Sequence, residues 1–110
     1  MTSTAERQFE HLWESSYPDL DLVAEYQGIK GRKFRFDFAH VPSKTAIEIQ
    51  GGIYLRHGGH NSAAGLHRDY EKLNLAQWQG WTVFQLSPDM VEQSWVDLIA
   101  DFIRGKNDSN

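Results

Sequence analysis

Two short runs dominate the middle of the chain: Phe34-Arg35-Phe36-Asp37-Phe38 and Ala46-Ile47-Glu48-Ile49-Gln50, separated by Pro42-Ser43-Lys44. Aromatic and β-branched residues that alternate on both sides of a turn predict adjacent strands joined by a hairpin. The hairpin sets two acids, Asp37 and Glu48, side by side. An unpaired carboxylate inside such a run costs several kcal/mol to desolvate. One hard divalent cation compensates both acids at once, because such ions prefer carboxylate oxygen. The competing reading is a solvated face, since Arg35, Asp37 and Ala39 alternate with Phe34, Phe36 and Phe38.

At 110 residues the chain suits one domain with one core. It has no cysteine, which excludes disulfides and thiolate zinc sites. No apolar run is long enough to span a bilayer, and residues 1–10 lack the apolar stretch of a signal peptide. A soluble intracellular protein is expected. The net charge of −4 argues against a nucleic-acid partner, but its distribution does not. Residues 1–27 hold six acids and one Arg, and residues 73–110 hold five acids and two bases. Residues 28–72 hold eight Lys and Arg against four acids, the acids including Asp37 and Glu48. A local positive field over the acidic pair follows, with chance clustering as the alternative.

Phe9, Leu12 and Trp13 recur at helical spacing behind a Ser/Thr cap, predicting a helix over 4–16. Strands are predicted over 20–26, 33–41 and 45–50, with a basic Gly-containing turn at 27–33. A Gly- and His-rich loop spans 51–61. A helix from Ser62 to about Gln79 would bury Leu66, Tyr70, Leu73 and Ala76 or Gln77, and Gly80 ends it. Residues 81–86 form a strand. Ser87-Pro88 opens a last helix to about Arg104, with Met90, Val91, Trp95, Leu98, Ile99 and Phe102 inward. Residues 104–110 read as a frayed tail. Trp13, Trp81 and Trp95 read as core; Trp78 is unassigned. A strand–helix–strand return makes the final strand parallel to its neighbour, so the sheet is mixed.

This order resembles the αβββαβ restriction-endonuclease-like core of the PD-(D/E)XK nuclease superfamily, with an added C-terminal helix. The family motif is an Asp, a spacer, then (Asp/Glu)-x-Lys; here Asp37 precedes Glu48-Ile49-Gln50. The chain is more closely similar to a small phage and bacterial branch. The shared residues are Glu6 and Phe9, Glu25-Tyr26, Arg32 to Ala39, Glu48 to Gly52, His60, Asp69 to Asn74, and Gly80 to Phe84. The resemblance covers residues 6 to about 90. The departure is Gln50 where the family has Lys, since glutamine carries no charge and exchanges no proton at neutral pH. Lys72, on the helix after the site, is the candidate to replace it.

The resemblance implies a four-stranded mixed α/β sheet flanked by helices, forming a single nuclease domain. It implies Asp37, Glu48 and the Ile49 carbonyl as ligands of Mg²⁺ or Mn²⁺. Glu6 fits a first-helix acid that reaches the metal or a water; Glu10 is one turn further on. His60 fits a loop position that contacts phosphate or assists proton transfer. Arg56 and His57 would grip the phosphate backbone, alongside Lys30, Arg32, Lys33 and Arg35. No pair among His57, His60 and His67 has the i, i+4 spacing of a helical zinc site, and His67 reads as a surface residue. Lys72 would stabilise charge on phosphorus; the bland reading pairs it with Asp69. Glu25 would pair with Arg32 or Arg35. Gly51-Gly52 permits close backbone approach after the motif, or is a plain turn.

The expected activity is a Mg²⁺- or Mn²⁺-dependent DNA endonuclease, nicking or junction-resolving, working as a cytoplasmic homodimer in a bacterial or phage-infected cell. RNA remains open as a substrate. The rival expectation is a nuclease-fold protein without activity that binds nucleic acid or a partner protein, which Gln50 and the acidic balance favour.

Overall fold

A computed structural model describes residues 3–50 and 63–108. Gly51, Gly52, Arg56, His57, His60 and the Ser62 cap lie outside the described residues. The elements are α1 (Thr4–Ser16), β1 (Val23–Tyr26), β2 (Phe36–His40), β3 (Thr45–Ile49), α2 (Ala63–Trp78), β4 (Thr82–Leu86), a single 3₁₀ turn (Pro88–Met90) and α3 (Gln93–Asp108). The sheet order is β1-β2-β3-β4. β1–β2 and β2–β3 are antiparallel and β3–β4 is parallel, as a helical crossover between neighbouring strands requires.

α1 starts on a capping box. Ser3 Oγ accepts the Glu6 N–H, and the Glu6 carboxylate accepts the Ser3 N–H, satisfying two of the open amides at the helix start. Phe9 and Trp13 are its fully buried pair. They pack with Phe38, Ile47, Ile49 and Leu86 of the sheet and Val96, Ile99, Ala100 and Ile103 of α3. The opposite face is covered by α2 and the 27–35 segment, where Ile29, Phe36, Ala39, Ala46, Ala76 and Trp81 cluster. Each β3 residue is buried, as a central strand between two covered faces demands. Strand alternation sorts the side chains: Ala46 and Glu48 face α2, while Ile47 and Ile49 face α1 and α3.

Several boundaries and faces differ from expectation. β1 and β2 are shorter than the alternating runs. Leu66 and Tyr70 are 38% and 63% exposed, and the buried position of the α2 stripe is Ala76. The last helix is interrupted. Val91 leaves helical geometry at φ −79, ψ 84 to bury its side chain, and α3 starts afresh two residues later. Its inward residues are Val96, Ile99, Ala100 and Ile103, while Leu98 is 47% exposed. α3 also continues past Arg104 to Asp108. Phe36 breaks the alternation expected with Phe38: at the first position of β2 its ring turns to Trp81, centroids 4.9 Å apart, on the α2 side.

Candidate active site

The β2–β3 pairing runs from His40↔Thr45 to Phe38↔Ile47. One step further in the same register, Asp37 stands opposite Glu48, both on the α2 face. There the side chains replace the backbone ladder. The Asp37 N–H donates to Glu48 Oε2 at 3.0 Å, and the Ile49 N–H donates to Asp37 Oδ2 at 2.7 Å. The two carboxylates are thereby crossed over the strand pair and held by each other's backbone. Glu48 is 7% exposed and Asp37 half-buried. The polar-face alternative is overturned for this stretch, because α2 lies over it.

Lys72 answers the two charges. Its ammonium forms an ion pair with Glu48 Oε1, donates to the Arg35 carbonyl at 2.6 Å, and lies 5.8 Å from the Phe36 ring centre. It is thus turned to the acid pair on the sheet. Burial and then the neighbouring Glu48 charge raise the Asp37 carboxyl to about 7; the Ile49 N–H pulls it down, Glu6 pushes it up and Lys72 lowers it. Proton and cation would therefore compete for Asp37 near neutral pH.

These groups border a cavity of about 210 Å³ lined by Asp37, Glu48, Ile49, Gln50, Asp69, Lys72 and Gln85, with Phe36, Leu73, Ala76 and Val83 as its apolar walls. Gln50 is fixed there because its N–H continues the parallel ladder to Leu86 O at 2.7 Å. Five predicted residues therefore meet: Asp37, Glu48, Ile49, Gln50 and Lys72. Glu6 does not line the cavity, although its charge is felt at Asp37. Arg32 is tied down by Glu71 through two hydrogen bonds of 2.9 and 2.7 Å and stacks on Phe34, so it does not pair with Glu25. Lys30, Lys33 and Arg35 are exposed. Gln85 is a lining residue that the sequence does not single out. It is the β4 partner of Glu48 in the parallel register, a position readable only once that pairing is known.

The donors fit a hard cation. Two crossed carboxylates and strand carbonyls are all oxygen, and Mg²⁺ characteristically takes one or two carboxylates and completes its shell with water and phosphate. No set of three His, Cys, Asp or Glu side chains converges among the described residues.

No family model matches the chain, and no curated protein sequence does. Among solved structures it is similar to the catalytic domain of the homing endonuclease I-Bth0305I, with a TM-score of 0.61 at 18% identity, over 96% of this chain and 94% of that one. The chain has the fold of that catalytic domain. No helix among the described residues is long and apolar enough to cross a membrane.

Proposed function

We propose that the protein is a Mg²⁺- or Mn²⁺-dependent DNA endonuclease of the PD-(D/E)XK type, with Gln50 at the position that usually holds lysine. The observation that carries this is the crossed Asp37–Glu48 pair facing Lys72 across one polar cavity. The fold shared with a homing endonuclease catalytic domain supports it. Asp37, Glu48 and the Ile49 carbonyl would hold the cation. When bound, it supplies Lewis acidity to the scissile phosphate and a lowered pKa for the attacking water.

The chain's own residues do the rest. Lys72, which pairs with Glu48 beside the cavity, would present its ammonium to the phosphoryl oxygens as negative charge builds on them. Gln50 orients by hydrogen bonding alone, since its amide exchanges no proton. Asp37, whose carboxyl is raised to about 7 by burial and Glu48, would have to be ionised to hold the cation. A cleft this small touches few bases, so selectivity comes from DNA shape, and a homodimer would present two cavities to two strands. Nicking or junction cleavage in the cytoplasm of a bacterial or phage-infected cell is the setting we propose.

The test is supercoiled plasmid, four-way-junction DNA and an RNA control incubated with wild type and Asp37→Ala, with and without Mn²⁺. Cleavage that needs Mn²⁺ and is lost in the variant is expected; equal cutting by both proteins overturns the assignment. A second reading, a binding protein without activity, is favoured by Gln50 and by the Lys72–Glu48 ion pair, which already neutralises one ligand. It predicts DNA binding with no cleavage of any substrate.

A further inference from the structure

The C-terminal end of α2 leaves its largest side chain in water. Trp78 is 82% exposed, whereas Trp13 and Trp81 are buried and Trp95 packs against the core. Trp78 walls a shallow depression of about 590 Å³ together with Lys30, Gly31, Lys44 and Gln79. The surroundings are held in place. Gln79 Oε1 accepts the Lys30 N–H at 2.9 Å, and Gln79 Nε2 donates to the Lys30 carbonyl at 3.2 Å, so the 27–35 segment is clamped to the helix end. Lys44, from the β2–β3 hairpin, donates to the Gln79 carbonyl at 2.5 Å. Gly31, at φ +81, leaves open space where a side chain would stand. Neither lysine is ion-paired with a described residue.

Two lysines lining the same depression as an open indole match the chemistry of a nucleic-acid strand, with phosphates for the cations and a base for the ring. The same charges disfavour a second copy of this chain, because a twofold axis would set each lysine pair against its own image. We propose that Trp78, with Lys30 and Lys44, docks an unpaired stretch of the nucleic-acid substrate outside the catalytic cavity. This rests on the nucleic-acid reading of that cavity but uses none of its residues. Lys44 is four residues from Glu48, about 13 Å at 3.3 Å per strand residue. That is the span of about four nucleotides along a duplex, so a strand stacked on Trp78 reaches the acid pair within a few nucleotides. The preferred substrate is therefore a duplex with a nearby single-stranded segment.

The experiment is fluorescence anisotropy of labelled oligonucleotides in EDTA, where cleavage is suppressed. The probes are a single strand, a blunt duplex and a duplex with an overhang. Trp78→Ala weakens the single strand and the overhang duplex about tenfold, the loss of one stacked base, and leaves the blunt duplex within about twofold. Trp78→Phe keeps most of the affinity. Lys30→Ala lowers the salt slope by about 0.7 on the single strand. Unchanged single-strand affinity in Trp78→Ala overturns the proposal. So does an equal loss on all three probes, or a wild-type dimer that Trp78→Ala converts to monomer with binding intact. Plasmid cleavage separates the two claims: a protein that cuts but ignores Trp78→Ala loses only the docking site. One that binds through Trp78 and never cuts loses only the nuclease assignment.

Discussion

Replacing Asp37 by asparagine should stabilise the metal-free protein at alkaline pH and abolish its response to divalent cations. The amide keeps an oxygen for the Ile49 N–H and removes a charge beside Glu48. In the folded state the carboxyl lies at about 7 against an ordinary 3.8. That gap converts to roughly 4 kcal/mol at 1.36 kcal/mol per pH unit. The group is only partly enclosed, so solvent screening cuts this to about 2 kcal/mol. The sign follows from proton counting. Above 3.8 the unfolded chain has shed the proton that the folded chain retains, so stability from this group is full below 3.8 and is lost as pH rises through about 7. His40, buried and with its pKa lowered by burial, opposes this trend by losing stability as pH falls below its ordinary range; subtracting the two proteins cancels its effect. The assay is thermal unfolding in EDTA at several pH values. The Asp37→Asn protein should melt only about 3 °C above wild type at pH 5 and about 8 °C above it at pH 8, taking roughly 4 °C per kcal/mol for a domain near 100 residues. Saturating Mn²⁺ should then raise wild type by about 2.7 kcal/mol at a hundred times Kd and leave the variant unmoved. A melting difference of the same size at pH 5 and pH 8 would refute the reasoning.

Lys72→Ala leaves Glu48 buried without its partner and should cost about 3 kcal/mol in EDTA. Mn²⁺ should recover much of that loss, and a denaturant midpoint that ignores Mn²⁺ would count against the shared role of ammonium and cation. The same variant should lower cleavage on the order of a hundredfold with little change in KM, read from single-turnover rates. Gly28→Ala drives a methyl to 2.8 Å from both Tyr26 and Trp81 and 3.0 Å from Phe36. Rings wedged on three sides cannot retreat, so a loss of about 1–3 kcal/mol is expected by urea unfolding.

The acid pair is legible because strand alternation and a turn specify register with little help from the rest of the fold. Asp37, Glu48 and Gln50 follow from the two runs, and Lys72 from its place on the next helix. What is not legible depends on what covers what. The apolar spacing of Leu66 and Tyr70 is that of a buried stripe, yet both side chains stay in solvent. Val91 looks like a helix-face residue, but burying it requires a break in the backbone. Arg32 belongs to a basic stretch that reads as a phosphate grip, and only the tertiary placement of Glu71 shows where its guanidinium goes. Gln85 acquires meaning only through its parallel pairing with Glu48.

Because alternate β3 side chains serve opposite layers, sliding that strand by a single position would exchange Ile47 and Ile49 for Ala46 and Glu48. The Glu48 carboxylate would then enter the greasy layer beneath α1, while isoleucine would enter the cleft. A mispaired molecule of this kind would lose its core and its ligands together. Quality control that recognises poor packing would therefore also remove chains with a ruined catalytic cleft.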